Sequence, residues 1–174
     1  MRAPSRLPMS EPCRHSVGDR WFVNETYVRV AGLWRYVYRA VDQHGQVIDV
    51  NVSKRLNLVA AARFFEIMLS GRDRPKEVTT DLAAPLLRVV DKLLPDALHD
   101  TTQHANNRIE CDHGRLKSRP RPMRCLRTDR TATVVISGHA FIQNGRRGHY
   151  ELGVERRHDR LRVAAAFDEL TTVI

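Results

Sequence analysis

The sequence predicts an α/β domain with a mixed sheet flanked by helices. Three observations carry that expectation. Residues 21–53 read as three strand-like runs with turn residues between them; residues 57–70 change to an Ala-rich helical pattern; and beyond 76, short strands alternate with amphipathic helices.

Each element follows from its residues. WFVNETYVRV (21–30), LWRYVYRAVD (33–42) and QVIDVNVS (46–53) are rich in β-branched and aromatic residues. The breaks between them, Ala31-Gly32 and Gln43-His44-Gly45, suit tight hairpins, so the three runs form an antiparallel meander. NLVAAARFFEIMLS (57–70) is a helix stopped by Gly71. KEVTTD (76–81) is a short strand ending in an acid, and APLLRVVDKLL after it is an amphipathic helix running to Pro95. A brief strand at 97–100 precedes a polar helix at 106–117, and Pro120 with Pro122 breaks the chain. Two more helices are expected at 128–146 and 155–171, the second carrying Leu161, Ala164, Ala165, Phe167 and Leu170 on one stripe. Residues 1–19, rich in Pro, Arg and Ser, read as a linker or truncated lead-in. The order β-β-β-α-β-α-β-α is that of an RNase H-like domain, a statement about topology alone.

Composition narrows the function classes. Hydrophobic residues at 42% with 28% charged residues fit a folded domain, and 174 residues suffice for one real core. The net charge of +9 and pI near 10.2 point to a polyanionic partner. Among the 29 basic residues only Lys54, Lys76, Lys92 and Lys117 are lysine. The rest are arginine, which forks onto phosphate and stacks on bases, although a GC-rich genome also enriches arginine. Cys13, Cys111 and Cys125 are odd in number and widely spaced, so no disulfide framework is expected. No signal-peptide core and no apolar run of about 18 residues is present, which favours a reducing, cytoplasmic setting.

Three positions carry chemistry. Asp81 closes a strand at the carboxyl edge of the sheet, where open α/β sheets bind ligands, or else it caps the helix that follows. In NNRIECDHGRLK (106–117), Glu110, His113 and Lys117 share one helical face. Such a carboxylate–lysine pair also occurs on ordinary solvated helices. Asn24 is the third, a poor strand former set among aromatic and β-branched residues. Alternation puts Phe22, Asn24, Thr26 and Val28 on one face and Trp21, Val23, Glu25 and Tyr27 on the other, so Glu25 cannot stand in for Asn24. Zinc is disfavoured. Cys13-x-His15 and Cys111-x-His113 lack the usual Cys-x₂₋₄-Cys pair, and on a helix Cys111 and His113 diverge by about 200°.

WFVNETYVRVAGLWRYVYRAVDQHGQVIDV resembles the start of the catalytic domain of IS-six family insertion-sequence transposases, which reads W-x-x-D-E-T-Y-V. VTTDLAAP is similar to that family's T-D-x-A-P, and NNRIECDHGRLK to its N-N-x-I-E-x-D-H-x-x-L-K. LRTDRTATVVISGHAFIQNGRRGHYELG resembles the region after it, so the likeness spans residues 16–174. It implies an RNase H-like fold of the retroviral-integrase kind with extra C-terminal helices: lead-in 1–19, catalytic core 20–147, helical extension 148–174. It also implies DDE-type DNA strand cleavage and transfer with two divalent ions, Mg²⁺ or Mn²⁺, bound to Asp81 and Glu110. The acidic triad falls on Asn24, Asp81 and Glu110, with Lys117 as the following basic residue. Asn24 therefore stands where the family keeps its first aspartate. Pro85 comes one place later than in the family, and nothing matches its N-terminal helix-turn-helix, so a truncated and impaired copy is expected. Arg115, Lys117, Arg119, Arg121, Arg124 and Arg127 would face DNA, transposon ends and target alike. A homo-oligomer on DNA, at the bacterial nucleoid and away from membranes, completes the expectation. The alternatives are a non-catalytic DNA-binding remnant or regulator of intact transposase and, further off, a generic RNase H-type nuclease.

Overall fold

Alternating side chains, two tight turns and one glycine stop account for most of the architecture. The computed structural model describes residues 14–81, 83–102 and 126–150, together with residue 164. The helices expected at 106–117 and 155–171 lie outside these, as does the break at Pro120 and Pro122.

Strands β1 (Arg20–Val30), β2 (Leu33–Asp42) and β3 (Val47–Ser53) form the meander. Ala31 and Gly32 both have positive φ, 49° and 80°, the backbone that a two-residue hairpin turn requires. At the second turn Gly45 has φ 81°, and Asp42 organises the loop. Its carboxylate accepts from the backbone N–H groups of His44 (2.9 Å), Gln46 (2.8 Å) and Gly18 (3.0 Å). A register shift between Ala40 and Val41 keeps Val47 opposite Val41 on one face while Ile48 packs on the other.

Helix α1 (Leu58–Leu69) starts at Asn57, whose side chain accepts from the N–H of Ala60 at 2.9 Å, and ends before Gly71 at φ 75°. β4 (Glu77–Thr80), α2 (Ala84–Leu93), β5 (Leu98–Asp100) and α3 (Asp129–Arg147) follow. Pro85 lies in the first turn of α2, where its missing N–H costs nothing, so the one-residue delay before it is absorbed at the helix start.

The sheet order is β3-β2-β1-β4-β5, with β1 antiparallel to β2 and parallel to β4. The sheet is therefore mixed, as expected. Each face carries its own core. Trp21, Val23, Tyr38 and Val78 pack with Phe64, Phe65 and Met68 of α1 and Leu86, Val89 and Val90 of α2. On the other face Val28, Val30 and Val37 meet Leu126, Ala132 and Ile136, and Phe22, Val41 and Val47 meet Ala140. Period-2 alternation along β1 thus assigns Asn24 to the α3 face and Glu25 to the α1/α2 face. Residues 17–140 make up one compact unit; residues 14–16 and 141–150 belong to a second, where Arg14 and Tyr150 form a β-bridge. Among the described residues no helix is long and apolar enough to cross a membrane.

Candidate active site

Parallel pairing of β1 with β4 brings the first two candidate positions together. The register ends with Val23 opposite Thr80, so the next residues along the two strands, Asn24 and Asp81, stand side by side at the carboxyl end of β4. β1 continues for six residues beyond that point, Glu25 to Val30, paired with β2.

Asn24 is buried at 6% exposure, and its Oδ1 accepts no hydrogen bond. A buried carbonyl oxygen without a donor is costly, the kind of position that functional sites retain. Asp81 leads into α2 as the capping expectation suggested, but by a different route. The N-cap position itself is Ala83, which has no side-chain cap; the Asp81 carboxylate accepts from the Ala83 N–H at 3.1 Å. Asp81 is therefore not the N-cap of α2, but its carboxylate shapes the turn that leads into the helix at the sheet edge.

Several neighbours complete the surroundings of these two positions. Across the sheet, Arg39 is the register partner of Asn24 and is buried at 1% exposure. Cross-strand partners share a face with Cβ atoms about 5 Å apart, so Arg39 lies on the same face of the sheet as Asn24. Glu25, half-buried on the opposite face, has its carboxyl pushed up to about 7, first by burial and then by the charge of Asp81. Its Oε2 is buried without a hydrogen bond. Burial first, and then the negative charge of Glu25, push the Tyr38 phenol up to about 12. Finally, Thr80 Oγ1 donates to the carbonyl of Asp81 at 2.9 Å and lies 2.9 Å from His99 Nε2; His99 Nδ1 is 3.3 Å from Asp91. This chain of polar contacts fixes the backbone on which Asp81 sits.

These groups depend on which strands are adjacent. Period and composition do not reveal that β4 lies against β1, so the coupling of Glu25 to Asp81 had no signal in the sequence. Arg39 had a faint one, an arginine at a position that alternation along β2 places toward the core.

Glu110 and Lys117 lie outside the described residues, as do Arg115, Arg119, Arg121 and Arg124. Arg127 is exposed, just ahead of α3; the carbonyl of its neighbour Leu126 accepts from the N–H of Ala31 at 2.9 Å, tying that segment to the β1–β2 turn. Among the described residues no group of three His, Cys, Asp or Glu side chains could hold a metal ion.

A family model for the DDE domain matches residues 18–149. The Staphylococcus aureus transposase for insertion sequence-like element IS431mec is 29% identical over 147 residues, covering 80% of this chain and 65% of the relative. The S. aureus transposase for insertion sequence element IS257 in transposon Tn4003 matches to the same extent, so this chain spans 65% of the length of these relatives. Among solved structures, the HTLV-2 integrase catalytic core domain in complex with magnesium superimposes with a TM-score of 0.58 at 18% identity, covering 74% of this chain and 88% of that one. A chain of the simian T-cell lymphotropic virus intasome in complex with PP2A regulatory subunit B56 gamma gives 0.55 at 15% identity, covering 86% and 55%. The fold is RNase H-like, of the retroviral-integrase catalytic-core type. With the DDE-domain match running across both strands of the candidate site, the chain belongs to the IS-six family of insertion-sequence transposases.

Proposed function

We propose that this chain is the catalytic core of a DDE transposase, built to cut and join DNA strands, and that Asn24 impairs it. The observation that carries the reading is the position of Asn24, buried beside Asp81 at the carboxyl edge of the sheet, in a chain of this family. In this reading the core is 20–147, with 148–174 a helical extension, and the site is Asn24, Asp81, Glu110 and Lys117.

The donor set fits a hard divalent ion such as Mg²⁺ or Mn²⁺. Carboxylate oxygens of Asp81 and Glu110 are the donors such ions prefer, and the Asn24 Oδ1, buried without a hydrogen bond, is a further oxygen. When bound, a pair of such ions activates the attacking oxygen and stabilises the leaving one. Asp81, braced through Ala83 and Thr80, presents its carboxylate at a fixed place. Lys117, seven positions after Glu110 in the sequence, neutralises a backbone phosphate in this reading, and the arginines from Arg115 to Arg127 hold the DNA strand by further phosphate contacts.

Asn24 is the weak member. Its amide offers one neutral oxygen and an NH₂ that repels cations, where an aspartate would add a full charge able to bridge two ions. Losing several kcal/mol of charge stabilisation slows cleavage by roughly a thousandfold or more. The same substitution favours a second reading, in which the chain binds DNA or pairs with intact transposase without cutting. Mn²⁺-dependent nicking of a labelled duplex carrying transposon ends separates the two. Cleavage restored by Asn24→Asp supports the impaired enzyme. Binding with no cleavage by either protein supports the regulator, and cleavage by the natural chain at the rate of the variant contradicts both.

A further inference from the structure

Among the described residues two exposed aromatic side chains stand together. Tyr27 is 55% and Trp34 52% exposed, and among the described residues no other aromatic is exposed. Both lie on the α1/α2 face of the β1–β2 hairpin, beyond the part that the helices cover. Tyr27 and Trp34 meet edge to face, ring centroids 5.0 Å apart at 89°. The Arg29 guanidinium, on the cross-strand partner of Trp34, sits 5.1 Å from the indole centroid. Tyr36, the partner of Tyr27, continues the row toward Ser53 of β3, two residues before exposed Arg55.

A hairpin gains stability from an aromatic pair, but that does not call for half of each ring to remain in water. Rings interleaved with arginines on a surface of a chain with net charge +9 fit a base-stacking, phosphate-binding partner. A second copy of this chain fits less well, because a two-fold contact centred here would bring the two Arg29 side chains together. Duplex DNA hides its base faces, so the partner is a strand with unpaired bases. Tyr27 lies about 10 Å further along β1 than Asn24, where β1 has run past the end of β4. A strand leaving the site can therefore reach it around an edge of β1 that β4 does not cover.

We propose that Tyr27, Trp34 and Arg29, flanked by Arg55, form a stacking platform for unpaired nucleotides of a DNA strand next to the cleavage site. The proposal rests on the reading of the chain as a transposase core. Trp34 supplies its own reporter, since the only other tryptophan, Trp21, is buried at 1% exposure. Titrating the full chain with oligo-dT should quench its tryptophan emission, whereas a blunt duplex of equal length should bind without that quenching. Trp34→Ala and Tyr27→Ala should each weaken single-strand binding, read by anisotropy of a labelled oligonucleotide, by about tenfold. Duplex binding should change less than twofold, and Trp34→Phe should recover most of the loss. Single-strand binding that leaves the emission unchanged and tolerates Trp34→Ala would overturn the platform while leaving the transposase reading intact. Failure to bind any DNA would remove both. An emission change that follows protein concentration without DNA would assign the surface to a second copy and overturn the proposal.

Discussion

Replacing Glu25 by glutamine is expected to stabilise the metal-free protein at neutral pH and to leave it unchanged in acid. The Glu25 carboxyl is raised from 4.5 to about 7, first by burial and then by the neighbouring charge of Asp81. At about 1.4 kcal/mol per pKa unit, a rise of that size amounts to roughly 3 kcal/mol. Glu25 is only half-buried, so solvent screening brings the contribution down to about 1–2 kcal/mol. In the unfolded chain the group ionises near its ordinary value, while the folded protein keeps the proton to about pH 7. The native state thus binds more protons between these values, and its stability falls as pH rises through that window. Glutamine does not titrate, so the advantage of the variant should be near zero at pH 4.5, grow through pH 6 and level off above 7. For a chain of this size that is a gain of roughly 2–8 °C in Tm at pH 8. Thermal melts of both proteins in EDTA between pH 4.5 and 8 measure it. An advantage that does not vary with pH, or a loss at pH 8, would refute the raised Glu25 carboxyl.

Other consequences are equally direct. Asp42→Ala removes the acceptor of three backbone N–H groups and should cost about 2–4 kcal/mol in urea unfolding; a cost below about 0.5 kcal/mol would show the second turn holds without it. Phe64→Ala, at a fully buried core position, should cost about 3–5 kcal/mol. Duplex binding should weaken steeply between 50 and 200 mM salt, with a log–log slope of about −4 to −6 if the arginine segment makes that many phosphate contacts; a flat dependence would mean the charge is compositional.

Much of the fold was legible because its signals are local. Alternation along β1 assigned Asn24 and Glu25 to opposite faces, and the two cores confirm the split, with Trp21 and Val23 under α1 and Phe22 and Val28 under α3. Ala31-Gly32 announced the hairpin, Gly71 the end of α1, and the helix expected at 128–146 runs from Asp129 to Arg147. What stayed hidden is non-local. That Asp81 lands beside Asn24 follows from β4 pairing with β1, a choice no window of sequence encodes, although the resemblance to the transposases implied it. Arg39 and His99 escaped for the same reason: their importance lies in which strand they face. The bulge at Ala40 and Val41 likewise depends on both faces of β3 being packed.

The substitution at position 24 is the centre of the account, and metal binding tests it most directly. An aspartate there meets the repulsion of Asp81, so Asn24→Asp should leave metal-free stability unchanged or lower it by about 1 kcal/mol. With Mn²⁺ the two should part. Calorimetric titration of the natural chain and of Asn24→Asp should show the variant binding at least about tenfold more tightly, with added thermal stabilisation by the metal to match. If the natural protein already binds two ions as tightly as the aspartate variant does, Asn24 is no lesion and the account of an impaired DDE site is wrong.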